Sequence, residues 1–169
     1  MNILTKNEHL QLTFTQTQDI PFVQATEGDA ENATYICQWT AAQHGAVLGD
    51  VDTYHLIART PTGTPVGFVI LKGLTNPHDS IELMRIVITE KGAGYGKNSL
   101  SLIKKWCFEE KGAHRLWLDV QENNHRAQHV YKSQGFTLEG ILRECLKVGD
   151  TYKSLMIMST LAKEYQADL

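Results

Sequence analysis

No apolar run in this 169-residue chain approaches the ~20 residues that a membrane-spanning helix needs; the longest, Val66 to Leu71, is already broken by Gly67. The amino terminus, MNILTKNEHLQLTF, lacks the basic segment, apolar centre and small-residue cleavage site of a secretory leader, so a cytoplasmic protein is expected, with no membrane partner. A basic excess is missing too. Sixteen Lys and Arg against nineteen Asp and Glu leave a net charge of −3, which argues against a nucleic-acid partner tracked through its phosphates. Cysteine is scarce: Cys37, Cys107 and Cys145 lie far apart and form no C-x-x-C pair, so neither a disulfide framework nor a structural zinc site follows. Cys107 reads as a small core residue. Proline is absent after Pro77, which makes long regular elements easier to build in the second half. Repeats and low-complexity tracts are absent as well.

What is present is ordinary globular material, 42% hydrophobic and 21% charged, in one domain spanning 1–169. Alternation of Leu10, Leu12 and Phe14 marks a first strand over His9 to Phe14. Helical segments follow at Gln18 to Thr26 and Ala33 to Ala42, separated by the acidic stretch Glu27-Gly28-Asp29-Ala30-Glu31. Tyr54 to Arg59 and Val66 to Lys72 read as strands joined by Thr60-Pro61-Thr62-Gly63-Thr64-Pro65, whose turn chemistry suggests a hairpin. Ser80 to Ile88 has the aliphatic, β-branched character of a buried strand. Leu100, Ile103 and Cys107 then mark an amphipathic helix to about Lys111, with Gly112 placed to cap it. Leu116, Leu118 and Val120 alternate in a further strand, a short helix starts at Asn123-Asn124 and ends at Gly135, and two strands close the chain near Phe136 to Leu146 and Tyr152 to Met158. The order βααβββαβαββ predicts a mixed sheet with helices on both faces.

The densest information lies in Lys91-Gly92-Ala93-Gly94-Tyr95-Gly96-Lys97, between the strand ending at Ile88 and the helix beyond. A strand, glycine loop and helix in that order leave the helix's first backbone N–H groups aimed at the loop, where the helix dipole favours an anion. Glycine permits positive φ there and removes the Cβ that would hold a phosphate away. A Walker A loop would need Gly at Lys91 and Ser or Thr at Asn98; a dinucleotide fingerprint would need Gly at Lys97. Both fail. The spacing that fits is [Q/R]-x-x-G-x-[G/A], with Lys91 in the first place, then Gly94 and Gly96.

With that loop the chain resembles the GNAT superfamily of N-acetyltransferases, whose members hold the pyrophosphate of acetyl-CoA in this way. A second stretch, Asn124-His125-Arg126-Ala127-Gln128-His129-Val130-Tyr131-Lys132-Ser133-Gln134-Gly135-Phe136, is similar to the same superfamily's N-x-x-A-x-x-x-Y-x-x-x-G-F pattern. The resemblance covers about Ser80 to Met158 and is nearest to the ribosomal-protein and polyamine acetyltransferase branches. It implies an α/β (α+β) acyl-CoA N-acyltransferase fold: a central, twisted, mostly antiparallel sheet of about six to seven strands, helices on both faces, and a fourth strand splayed from the fifth. His125 and His129 share the i, i+4 spacing of paired zinc ligands, but Arg126 stands where a zincin has Glu and no third ligand is evident, so no metal is expected. The two histidines read as outward-facing, opposite Ala127 and Tyr131.

The resemblance also implies site roles. Backbone groups of Met84, Arg85 and Ile86 would face the pantetheine arm and thioester, and Lys91, Gly92, Ala93, Gly94, Tyr95, Gly96 and Lys97 would cradle the pyrophosphate. Asn124, with Ala127 beside it, would bond the pantetheine, and Tyr131 would donate to the leaving thiolate. An amine with a pKa of ~10.4 is neutral in only about one molecule in a few thousand at pH 7, so a base is required. Phenol at ~10 is a weaker acid than a thiol at ~8.5, so full transfer from Tyr131 is uphill by roughly 2 kcal/mol and hydrogen-bond stabilisation is its expected part. Glu82 is the strand carboxylate for the base. Counting back from the loop reaches Ser80, on the same side of the pleat, and Glu144 and a water chain are the alternatives. Acceptor choice would come from about residues 18 to 50, where Tyr35, Trp39 and His44 could line a pocket, and from the last hairpin. Glu27, Asp29 and Glu31 could attract a polyamine or form a solvated loop. The expected activity is acetyl transfer from acetyl-CoA to a small amine or a protein amino terminus in a ternary complex; the other reading is an acyl-CoA-binding module that senses without turnover. Homodimerisation through a sheet edge or the terminal strands is compatible with this layout.

Overall fold

Strand alternation sorts the apolar side chains onto two faces of a single sheet. The computed structural model describes residues 1–165 and contains the strands β1 (Ile3–Lys6), β2 (Gln11–Phe14), β3 (Thr53–Arg59), β4 (Pro65–Lys72), β5 (Ser80–Ile88), β6 (Arg115–Gln121), β7 (Thr137–Val148) and β8 (Thr151–Leu161). They form one sheet in the order β1-β2-β3-β4-β5-β6-β8-β7, in which β5 and β6 run parallel and the other paired strands antiparallel. The helices are α1 (Ile20–Gly28), α2 (Ala30–Ala33), α3 (Ala41–Ala46), α4 (Tyr95–Lys105) and α5 (His125–Ser133). None of the described helices is long and apolar enough to cross a membrane.

On one face Leu56, Ala58, Val69, Leu71, Leu83, Leu116 and Leu118 pack with Leu100, Ile103, Trp106 and Cys107 of the α4 region, and Ala127, Val130 and Tyr131 of α5 lean on them. On the other face Ile57, Phe68, Ile70 and Val87 pack with Val23 of α1, bordered by Ile36, Trp39 and Met84. Cys107 is fully buried, as expected for a core thiol. Trp106 to Glu110 widen the end of α4 into a π turn, and Gly112 follows at φ +74°.

Two features depart from the sequence reading. The sheet has one strand more than expected, because β1 buries Thr5 and exposes Ile3 and therefore carries no apolar alternation. The helix expected over Ala33 to Ala42 does not form: α2 stops at Ala33, residues 34–40 are non-helical, and α3 starts at Ala41. The Thr40 side chain accepts the Gln43 N–H (3.2 Å) while Gln43 Oε1 accepts the Thr40 N–H (2.8 Å), a capping box that restarts the helix.

β5 carries a bulge that positions the site. Ile70 pairs with Arg85 but Leu71 pairs with Leu83, which leaves Met84 as an extra residue. Two residues against one reverse the phase of the pleat. Arg85 and Val87 thereby join Glu82 on the α1 side, while Leu83 and Ile86 face α4.

Close approach of β4 to β5 depends on Gly67. A Cβ there would lie 2.4 Å from the Val87 carbonyl oxygen and 2.7 Å from Ile88 Cδ1. Gly67→Ala is expected to lower unfolding stability by about 3 kcal/mol, because backbone and not a flexible side-chain end must give way. Urea denaturation checks this; an unchanged midpoint would contradict it.

Candidate active site

Parallel pairing of β5 with β6 extends only over Ser80, Ile81 and Glu82, matched to Arg115, Leu116 and Trp117. Beyond Glu82 the strands part. Along residues 83–88 the edge of β5 that faces β6 has no strand partner among the described residues, so backbone donors and acceptors of the Met84–Ile86 stretch border an opening through the sheet. α4 and α5 flank the opening on one face and α1 borders it on the other.

The glycine loop stands at the mouth on the α4 side. Gly92 and Gly94 both have φ +83°, a left-handed conformation costly for any side chain with a Cβ, and a Cβ at Gly92 would meet nothing within 4 Å. Conformation and not crowding therefore demands glycine there. Gly94 caps α4 and Asn98 N–H returns to its carbonyl at 3.0 Å, so the N–H groups of Tyr95, Gly96 and Lys97 lie in the unpaired first turn. Ala93 and Lys97 are exposed, while Tyr95 leans on the core. Lys91 Nζ donates to Asn32 Oδ1 at 2.7 Å and to the Ile88 carbonyl at 3.0 Å. Burial, and then the charge of Arg126, lower its pKa, with Glu31 and Asp29 opposing.

Across the opening, Asn124 caps α5 by accepting the Ala127 N–H at 3.2 Å. That helix end orients Tyr131, whose ring lies 5.8 Å from Phe136 and whose phenol is pushed up to about 12 by burial and then by Asp119. Burial, and then Asp119, also raise the Glu82 carboxyl, with Lys72 opposing; Asp119 is itself raised by burial. Glu82, Asp119 and Tyr131 thus share one electrostatic neighbourhood. Asp119 is absent from the sequence-derived candidates, although its place was readable: it falls on the polar side of the Leu116-to-Val120 alternation. Ser80 Oγ accepts from Arg115 at 3.2 Å. Glu144 lies apart on β7, in left-handed backbone at φ +48°, and lines a surface cavity with Glu122, His125 and Tyr152. His125 and His129 are exposed.

Within the acidic stretch Asp29 and Glu31 are exposed, whereas Glu27 is not a solvated charge. Glu27 is 1% exposed. Its Oε1 accepts from Arg85 Nη1 at 2.5 Å, and its Oε2 meets His44 Nε2 at 2.9 Å and the Trp39 N–H at 3.2 Å. His44 Nδ1 contacts His55 Nε2 at 3.0 Å, and His55 Nδ1 meets Thr15 Oγ1 at 2.8 Å. His44 is therefore not a pocket-lining residue; it is fully buried inside this chain of bonds. Asp29 accepts the Glu31 N–H and caps α2. Arg85 also donates to the Cys37 carbonyl at 3.0 Å and lies 4.9 Å over the Trp39 ring, so one strand residue pins the α1–α3 segment to β5.

Residues 12–136 match the acetyltransferase (GNAT) family. Spermidine N(1)-acetyltransferase of Escherichia coli K12 is 26% identical over 107 residues, 63% of this chain and 58% of that protein. The Vibrio cholerae protein of the same name is 28% identical over 101 residues, 59% of this chain and 58% of its own length. The matches thus span less than two thirds of these relatives. A crystal structure of the spermidine N-acetyltransferase from Vibrio cholerae, in complex with CoA and spermine, superposes with a TM-score of 0.83 at 20% identity, covering 94% of this chain and 98% of the other.

Burial holds His55 at a pKa of about 4 against 6.5 when free, with His44 and Arg85 adding to the shift. Between those values the unfolded chain binds a proton that the folded chain refuses, so stability is full above 6.5 and falls toward 4, by roughly 3 kcal/mol for this group. Urea titrations across that range are expected to show the slope. Glu27→Gln is expected to cost about 3–5 kcal/mol at neutral pH, since Arg85 is left buried without its counter-charge. A variant as stable as the parent would contradict the network's role.

Proposed function

The chain belongs to the acetyltransferase (GNAT) family, and on that premise we propose that it transfers the acetyl group of acetyl-CoA to a primary amine, with a polyamine such as spermidine as acceptor. The observation that carries this reading is the opening between β5 and β6, with an anion-ready loop at one mouth and carboxylates and a phenol inside. An open, glycine-formed loop with first-turn N–H groups fits a diphosphate. The Met84–Ile86 backbone edge supplies hydrogen bonds for the amide-bearing pantetheine arm, and Asn124 and Ala127 fix the facing wall.

Amine and thioester approach from opposite faces of the sheet in this arrangement. Glu82 and Asp119, on the α1 side, attract a cationic acceptor and take the proton that the nitrogen must lose as its bond to the carbonyl carbon forms. A raised carboxyl is the stronger base, and a second carboxylate beside it suits a ligand with several positive charges. Tyr131 donates a hydrogen bond to the sulfur as the carbon–sulfur bond breaks. With its phenol near 12 against a thiol at ~8.5, full proton transfer would be uphill by roughly 5 kcal/mol, so stabilisation of the leaving thiolate is the part this tyrosine plays. The names of the spermidine N-acetyltransferase relatives support the polyamine as acceptor.

CoA-thiol release from acetyl-CoA with a panel of amines tests the reading. Spermidine is expected to support turnover. Tyr131→Phe should lower kcat about 100-fold with little change in the acetyl-CoA KM, and Glu82→Gln with Asp119→Asn should raise the spermidine KM and lower kcat together. Cofactor binding without turnover on any amine would overturn the enzyme reading in favour of an acyl-CoA-binding module.

A further inference from the structure

Lys91 stands first in the phosphate loop, yet its ammonium is directed to α2. Of its three N–H groups, one meets Asn32 Oδ1 at 2.7 Å and one the Ile88 carbonyl at 3.0 Å. Asn32 is 6% exposed and is bound at both ends of its amide, because its Nδ2 donates to the Thr26 carbonyl at 2.8 Å in the last turn of α1. The bonds run without a break from the loop strand through Lys91 and Asn32 into α1. A second tie, Arg85 to Glu27, joins the same short segment to β5. The two ties grip α1 and α2 within Glu27 to Asn32, the piece of chain that borders the opening on the acceptor side.

We propose that Lys91 and Asn32 are positioning residues that couple the two substrate sites, so that a diphosphate on the loop stiffens the Lys91–Asn32 bond and thereby fixes the α1–α2 wall against which the amine binds. The third N–H of Lys91 remains for a phosphate oxygen, so anion and Asn32 can be held together and do not compete. Arg126 repels the ammonium while Glu31 and Asp29 attract it, and a diphosphate at the loop adds a third bond to Nζ and offsets the Arg126 charge without displacing Asn32. Bound CoA therefore favours the latched state, which is the differential interaction that a coupling between sites requires. By reciprocity the amine tightens CoA by the same factor. This inference rests on the functional reading above, in that the loop takes the cofactor's diphosphate.

Calorimetric titration with CoA, in the presence and absence of saturating spermidine, reads the coupling directly. In the parent protein spermidine is expected to lower the CoA Kd about five-fold or more. Asn32→Ala should bring that ratio close to one and leave the amine-free Kd for CoA within about two-fold, since the side-chain bonds of Asn32 run to Lys91 and the Thr26 carbonyl and not to the loop's N–H groups. Asn32→Asp keeps an acceptor for Lys91 and should retain the coupling; thermal melts establish that each variant is folded. Parental coupling in a folded Asn32→Ala protein would overturn the latch. So would loss of coupling in Asn32→Asp equal to that in Asn32→Ala, which would trace the effect to the bond with Thr26. A parent protein that binds CoA with a ratio of one overturns the latch alone, whereas one that binds no CoA overturns the functional reading beneath it.

Discussion

The parting of β5 from β6 is the constraint on which the rest of the molecule is arranged. Parallel strands that remain paired present no free backbone between them; here only Ser80 to Glu82 keep their partners in β6. β5 is held from its other side by a long antiparallel ladder to β4, and β6 by one to β8, so neither strand depends on the other for its place. An unpaired inner edge is therefore stable, and it becomes a passage between the two faces of the sheet. The glycine loop and α5 serve it from one face, the carboxylates and α1 from the other.

That passage would be ill-defined if its walls could shift. The bulge at Met84 turns Arg85 toward α1, and Glu27, itself closed to solvent, holds the partly buried guanidinium. A buried ion pair of this kind contributes little net stability over an apolar equivalent, but it fixes orientation, because each partner leaves the other uncompensated if it moves. His44, His55 and Thr15 extend the same chain of bonds back to β2 and β3. The α1 side of the opening is thus tied to the rigid middle of the sheet at Glu27, and to the glycine loop through Asn32.

Local chemistry was legible wherever it reduces to spacing. The loop glycines, the Asn124 cap, the Tyr131 register and the burial of Cys107 all follow from sequence distance and side-chain type, because a turn or a helical face is set by neighbours in the chain. β1 escaped for the opposite reason, being defined by pairing with β2 and not by any apolar rhythm, whereas the α2–α3 break was legible: Thr34-Tyr35-Ile36-Cys37-Gln38-Trp39-Thr40 is rich in β-branched and aromatic residues of low helix propensity and ends on the Thr40–Gln43 capping box. Asp119 was in plain view on its strand, yet nothing along the chain says that Glu82 and Tyr131 are its neighbours.

By itself, then, the order of residues determined a mixed sheet flanked by helices, an anion-ready loop after the strand ending at Ile88, and a tyrosine helix beyond the next strand. Tertiary structure alone decided the environments: Glu27 as a buried anchor instead of a solvated charge, His44 as an internal link, Lys91 reaching across to Asn32, and Glu82 raised beside Asp119. The physical reason is common to all four. Desolvation and charge–charge coupling depend on distances through space between residues as far apart as 59 positions in the chain, and such distances exist only once the sheet has closed around them.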